Sequence, residues 1–166
     1  MLRSIFAFAL IFVSTEALAT PKVGDAASFE TAVTQNGQSA IGLVSIELMS
    51  YDAARGFLQR QTAEFPGSAP EVTEEWMPEN EFFSDATIDQ LLGKGNSSIG
   101  NCAHFNGTLQ AITVPAGTFD SCAIPFESAE NKGTVWVAKV SLGIVRLDLV
   151  SKQNGPSMSS MLKSFR

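Results

Sequence analysis

Reactive side chains are scarce in this chain. Among 166 residues there are one histidine, two cysteines and one tyrosine, and 11 lysines and arginines stand against 17 aspartates and glutamates. With a single histidine, most acid–base catalysis would have to rest on carboxylates, and no spacing pairs these convincingly. No serine-hydrolase elbow, phosphate loop or His-Glu-x-x-His helix occurs, so the sequence offers no catalytic residue and no cofactor. Clusters of lysine and arginine are missing too. A net charge of −6 without a basic patch excludes nucleic acid and anionic lipid surfaces as partners. After residue 19 no apolar run approaches the roughly 20 residues that a membrane-spanning helix needs, which excludes an integral helical membrane protein.

The one long apolar run is at the N-terminus. Arg3 begins a short basic segment, Ile5 to Val13 is unbroken in its apolarity, and Ala17-Leu-Ala19 offers a small-x-small cleavage site. Residues 1–19 therefore read as a secretory signal peptide, with mature protein starting at Thr20. No cysteine follows the cleavage site, which argues against a lipid anchor. The remaining 147 residues suit a single β-rich domain over 20–166, and the compartment expected is periplasmic or extracellular.

Turn chemistry organises that domain. Asn36-Gly37 is a strong two-residue hairpin signal, because both residues tolerate the positive φ of a type I′ turn. Pairing outward sets Val33 against Ala40, Thr31 against Gly42 and Phe29 against Val44, with Ile46 and Leu48 continuing the same apolar face. A third strand is expected over Phe57 to Phe65, broken by Pro66-Gly-Ser-Ala-Pro70. Glu71 to Glu81 carries five glutamates around Trp76. It lacks the Asp/Asn-Gly spacing of a calcium loop, so it reads as a solvated acidic loop or strand anchored by the tryptophan.

One short helix is expected over Ser84 to Leu92. Ser84 caps it, Ile88, Leu91 and Leu92 make one apolar face, and Gly93 stops it. A second hairpin centres on Pro115-Ala-Gly117, read as a three-residue loop that sets Val114 against Thr118 and Cys122 near Gln110. Strands at Gly133 to Val140 and Ile144 to Val150 follow, the second with Val145, Leu147 and Leu149 on one face. Asn154-Gly-Pro156 then turns the chain into a last strand, Ser157 to Phe165, with Met158 or Met161 inward. About eight strands joined by short turns, without helical crossovers, predict a mainly β fold: a curved antiparallel sheet.

Cys102 and Cys122 are the two cysteines, and export permits a disulfide between them. The loop around Cys102 would have to fold back onto the hairpin to bring the pair within bonding reach, so two buried free thiols stand as the alternative.

Val114 to Phe119, Cys122, Gly133 to Trp136 and Gly143 to Arg146 follow one another in an order that resembles a group of bacterial periplasmic proteins. Their fold is similar to the half-open barrel, or β-clam, of the lipoprotein-localisation carriers. The likeness covers the C-terminal half and concerns turns and side-chain fit. It implies a half-open barrel and a periplasmic location.

Cys102-x-His104, with Cys122 and Asp120 near, could in principle form a zinc site or a thiol–imidazole pair. Two ligands one residue apart are weak evidence, and an exposed loop histidine is the plainer reading, with no metal expected. Asn96-Ser-Ser98 and Asn106-Gly-Thr108 match the glycosylation pattern, a coincidence if the source is bacterial, as the resemblance implies. Phe29, Val44, Ile46, Leu48, Phe57 and Phe65 are candidates to line a cavity for a lipid or another apolar ligand, against the alternative that they are ordinary core. The function expected is a non-enzymatic periplasmic protein that holds an apolar ligand or lipidated partner in a half-barrel. The competing expectation is an envelope structural or interaction domain with a filled core.

Overall fold

Asn36 and Gly37 take φ of 53° and 77°, the left-handed values that a two-residue loop matched to strand twist requires. The loop joins β1 (Ala26–Gln35) to β2 (Gln38–Asp52) and fixes their register: Val33 meets Ala40, Thr31 meets Gly42 and Phe29 meets Val44, as the sequence predicts. The computed structural model describes residues 21–93, 101–153 and 155–166. The signal peptide expected over 1–19, the Asn96-Ser-Ser98 pattern and Asn154 of the last turn lie outside the described residues.

After β2 come β3 (Gly56–Glu64), β4 (Glu71–Met77) and a 3-10 turn at Glu79–Glu81. The acidic segment is thus a strand for most of its length. Its tryptophan is half-buried rather than embedded in the core, with the Arg55 guanidinium 3.8 Å from the ring centroid. The helix α1 spans Asp85–Leu91. Ser84 caps it by accepting a hydrogen bond from the Thr87 N–H at 3.1 Å, and Ile88 and Leu91 are each 1% exposed.

A second 3-10 turn, Cys102–Phe105, leads to β5 (Thr108–Val114), β6 (Gly117–Glu127), β7 (Asn131–Ala138), β8 (Ile144–Ser151) and β9 (Ser157–Phe165). The β5–β6 loop differs from the sequence expectation. It is Pro115-Ala116 alone, because Gly117 at φ 137° already sits in the ladder opposite Val114, and Cys122 consequently pairs with Leu109 rather than Gln110. A glycine counted as the end of the loop is the first residue of the strand.

Among the described residues nine strands form one antiparallel sheet in the order β4-β3-β2-β1-β9-β8-β7-β6-β5. Two meanders, β1–β4 and β5–β9, therefore meet at a central seam where the first strand pairs with the last. Thr31 and Ser160, 0% and 8% exposed, close that seam by sharing a hydroxyl hydrogen bond at 2.9 Å. A register shift between Ser28 and Phe29 marks a bulge in the same pair of strands. Beside it, the Leu162 carbonyl accepts a hydrogen bond from the Ala116 N–H at 3.0 Å. The tip of the β5–β6 hairpin thus reaches back to β9 across two intervening strands, β7 and β8, and the sheet is curved without closing into a barrel. The fold class predicted from sequence, a curved antiparallel sheet with one short helix, is the fold observed.

Cys102 and Cys122 are joined by a disulfide, with Cα atoms 5.6 Å apart. The fold-back it needs is local: Asn101 caps the 3-10 turn through the His104 N–H, and Asn106 at φ 54° reverses the chain. Gly107 follows, where an added Cβ would lie 2.7 Å from one sulfur and 2.8 Å from the other. Only glycine fits beneath this bond without displacing it.

Candidate functional site

Directly opposed residues in an antiparallel ladder share a face, so the registers show what the concave side presents. On one side of the seam, β9, β8, β7 and β6 contribute the row Ser160, Leu147, Val135 and Ile124. On the other, β2, β3 and β4 contribute Ile46, Gln61 and Thr73, then Leu48, Gln59 and Glu75. One half of the concave face is apolar and the other becomes polar from β3 outward.

The helix covers the apolar half. Phe83, Ile88 and Leu91 form one buried cluster with Cys102, Cys122, Ile124, Val135 and Val137. Seven residues are too few to cover the other half as well, so among the described residues no helix covers the concave face of β3 and β4. Where the cover ends, a cavity of about 170 Å³ opens, running from Val135, Ile144, Leu147 and Met158 under Phe82 and Phe83 to Gln59, Gln61, Glu75 and Glu81.

The sequence-derived candidates divide three ways. Phe29, Val44 and Ile46 line this cavity. Leu48 and Phe57, 0% and 3% exposed, are core residues outside its lining. Phe57 stands behind the wall, edge-on to Phe82 at 5.5 Å and 4.9 Å from the Tyr51 ring. Phe65 belongs to a second, open depression of about 810 Å³ at the far end of the sheet, with Val33, Ala40, Ala63 and Ser68 around it.

Several lining residues were not among the candidates. Leu147 and Met158 were legible as inward-facing positions, and Phe82-Phe83 stand immediately before the Ser84 cap. Gln59 and Gln61 alternate along β3 on the same face as Phe57. Glu75 and Met77, not Trp76, are the residues that the acidic strand sends to the cavity.

The other candidate chemistry dissolves on inspection. His104 is exposed and edge-on to Phe105 at 5.5 Å. The disulfide occupies both sulfurs, so the thiol–imidazole pair cannot form. Among the described residues no three His, Cys, Asp or Glu side chains are grouped to hold a metal ion, and no helix is long and apolar enough to cross a membrane. Shifted titrations belong to the periphery. A hydrogen bond to Glu79 raises Tyr51, the Ala54 N–H lowers Asp52, Lys152 lowers Glu127, and Asp89 raises Lys139. None of these four lines the cavity.

No family model matches the chain, and no curated protein does. Solved structures do. A protein designated a lipoprotein in Parabacteroides distasonis superposes with a TM-score of 0.53 at 14% identity, covering 90% of this chain and all of its own. A protein designated as exported in Bacteroides fragilis, with a YmcC-like fold, gives 0.48 at 13% identity over 89% of this chain and 98% of its own. MucB in complex with MucA(peri) gives 0.43 at 11% identity, over 86% of this chain and half of MucB. The likeness to the first is one of fold: the same open, curved sheet.

Proposed function

We propose that this chain is a non-enzymatic periplasmic protein that holds an apolar ligand, or the apolar part of a lipidated partner, on the concave face of its half-barrel. The observation that carries this reading is the cavity at the edge of the helical cover. Its walls are mostly aliphatic and aromatic, with a few polar groups on one side, the composition of a small-molecule site. The fold shared with exported and lipoprotein structures, and the signal-like N-terminus with Ala17-Leu-Ala19 before Thr20, support the location. Native mass spectrometry of protein purified from its own host is the test. A bound lipid, or a mass shift on adding acyl probes, is expected. No co-purifying lipid together with no shift would sink the carrier reading, and an N-terminus at Met1 in the exported form would sink the processing site.

A second reading has its own support. About 170 Å³ is less than the roughly 300–1,000 Å³ of ordinary ligand pockets. In this reading the chain is an envelope structural or interaction domain whose concave face is filled by its own side chains. Met158→Trp separates the two: a carrier loses its ligand, whereas a filled core is overpacked and loses stability.

A further inference from the structure

The polar part of the cavity lining is one-sided in charge. Glu75 on β4 and Glu81 on the 3-10 turn supply two carboxylates, Gln59 and Gln61 supply neutral amides, and among the described residues no lysine or arginine lines the space. The cations nearest in sequence are engaged elsewhere. Arg60 bonds Glu74 at 2.8 Å on the opposite face of the sheet, and Arg55 lies over Trp76 and 3.6 Å from Asp52. Among the described residues neither Glu75 nor Glu81 has a side-chain hydrogen bond or ion pair. Phe82 adds an aromatic ring to the same rim.

We infer that the cavity selects amphiphiles with a cationic head group and a short apolar tail, an inference that rests on the carrier reading. An anionic head placed there meets two carboxylates that have no ion-pair partner among the described residues, whereas an ammonium head is attracted both by them and by the aromatic face. Tail length follows from volume. An engineered apolar cavity of about 150 Å³ takes benzene, so about 170 Å³ admits one ring or a short alkyl segment, and a longer tail must run out along the uncovered face of β3 and β4.

The test uses three probes of equal tail length, octyltrimethylammonium, 1-octanol and octanoate, below their micellar concentrations. Binding is followed through the methyl resonances of Met77 and Met158, both of which line the cavity. The ammonium probe is expected to bind about tenfold more tightly than octanoate, with octanol between them. Glu75→Gln/Glu81→Gln should remove that order while leaving octanol affinity unchanged. Octanoate binding as tightly as the ammonium, or an order that survives in the double variant, overturns the inference. If octanol moves neither methyl, the carrier reading falls with it. If octanol binds and the charged probes bind equally, the head-group preference alone falls.

Discussion

The two halves of the sheet are made of the same kind of strand and treated differently by the rest of the chain. β7, next to the helix, buries Val135, Val137 and Ala138 to 1% exposure or less, whereas the first five residues of β4 are all exposed. Both are antiparallel strands of seven or eight residues with valines and threonines. The difference lies in what alternates. Where every second residue is Leu, Val or Ile, the concave face must be covered, and α1 and the disulfide loop supply the cover. Where the alternate residues are Gln59, Gln61, Thr73 and Glu75, water can cover it. A strand pattern thus specifies a sheet, while the polarity of one face decides how far the helical layer extends.

The largest test of that contrast is Leu91→Ala. Leu91 is 1% exposed at the centre of the covered half, and its truncation should cost about 4 kcal/mol in urea unfolding. A loss under 1 kcal/mol would mean that the helix is not the cover we describe.

Removing the disulfide by Cys102→Ser/Cys122→Ser comes next. A bridge between residues 20 apart in sequence contributes about 3 kcal/mol on the chain-entropy model, so the variant, or reduced protein, should unfold at lower denaturant by that amount. Two titratable thiols in freshly exported, denatured protein would remove the premise.

Ser84→Ala should cost about 1 kcal/mol, because the Thr87 N–H loses its acceptor at the start of the helix. On the open half, Gln61→Leu should change stability by no more than about 0.5 kcal/mol, since its face is uncovered. A gain above 1 kcal/mol would show that this half wants a core after all.

The smallest effect is electrostatic. Lys139 bonds Asp89 at 2.9 Å, tying the end of β7 to the helix, and this raises the lysine above its ordinary 10.5. Its contribution is complete below that ordinary value and is lost as pH rises through the higher folded value. Unfolding midpoints measured across that alkaline window should fall slightly in the parent and not in Asp89→Asn.

Much of this was legible because it is local. Asn36-Gly37 dictates its loop, and the loop dictates every partner of β1 and β2. Ser84, Ile88 and Leu91 specify the helix within a few residues. The β5–β6 register was legible to within one residue, and the error came from counting Gly117 as loop when its positive φ serves a ladder position. The disulfide stayed open because it depends on Asn106 and Gly107 reversing the chain, a pair whose role appears only once both sulfurs are located. The seam between β1 and β9 has no local signal at all. The cavity inherits that opacity, since Phe29 and Met158 come to line one space only through the seam, and Gln59 and Gln61 become lining only once the extent of the cover is known.

The seam also has a consequence in time. Thr31 and Ser160 bond across 129 residues of sequence, so β1 waits for β9 while everything between them is made. Until β9 arrives, the inner edge of β1 is a bare row of amide and carbonyl groups, open to any strand that finds it. Each meander can form early by short hairpin closures, but the complete sheet forms only through one long-range closure, the slow kind in chain-entropy terms. Completion of this sheet therefore waits on its most distant strand pairing, and a chain held extended until β9 has emerged loses nothing by the delay.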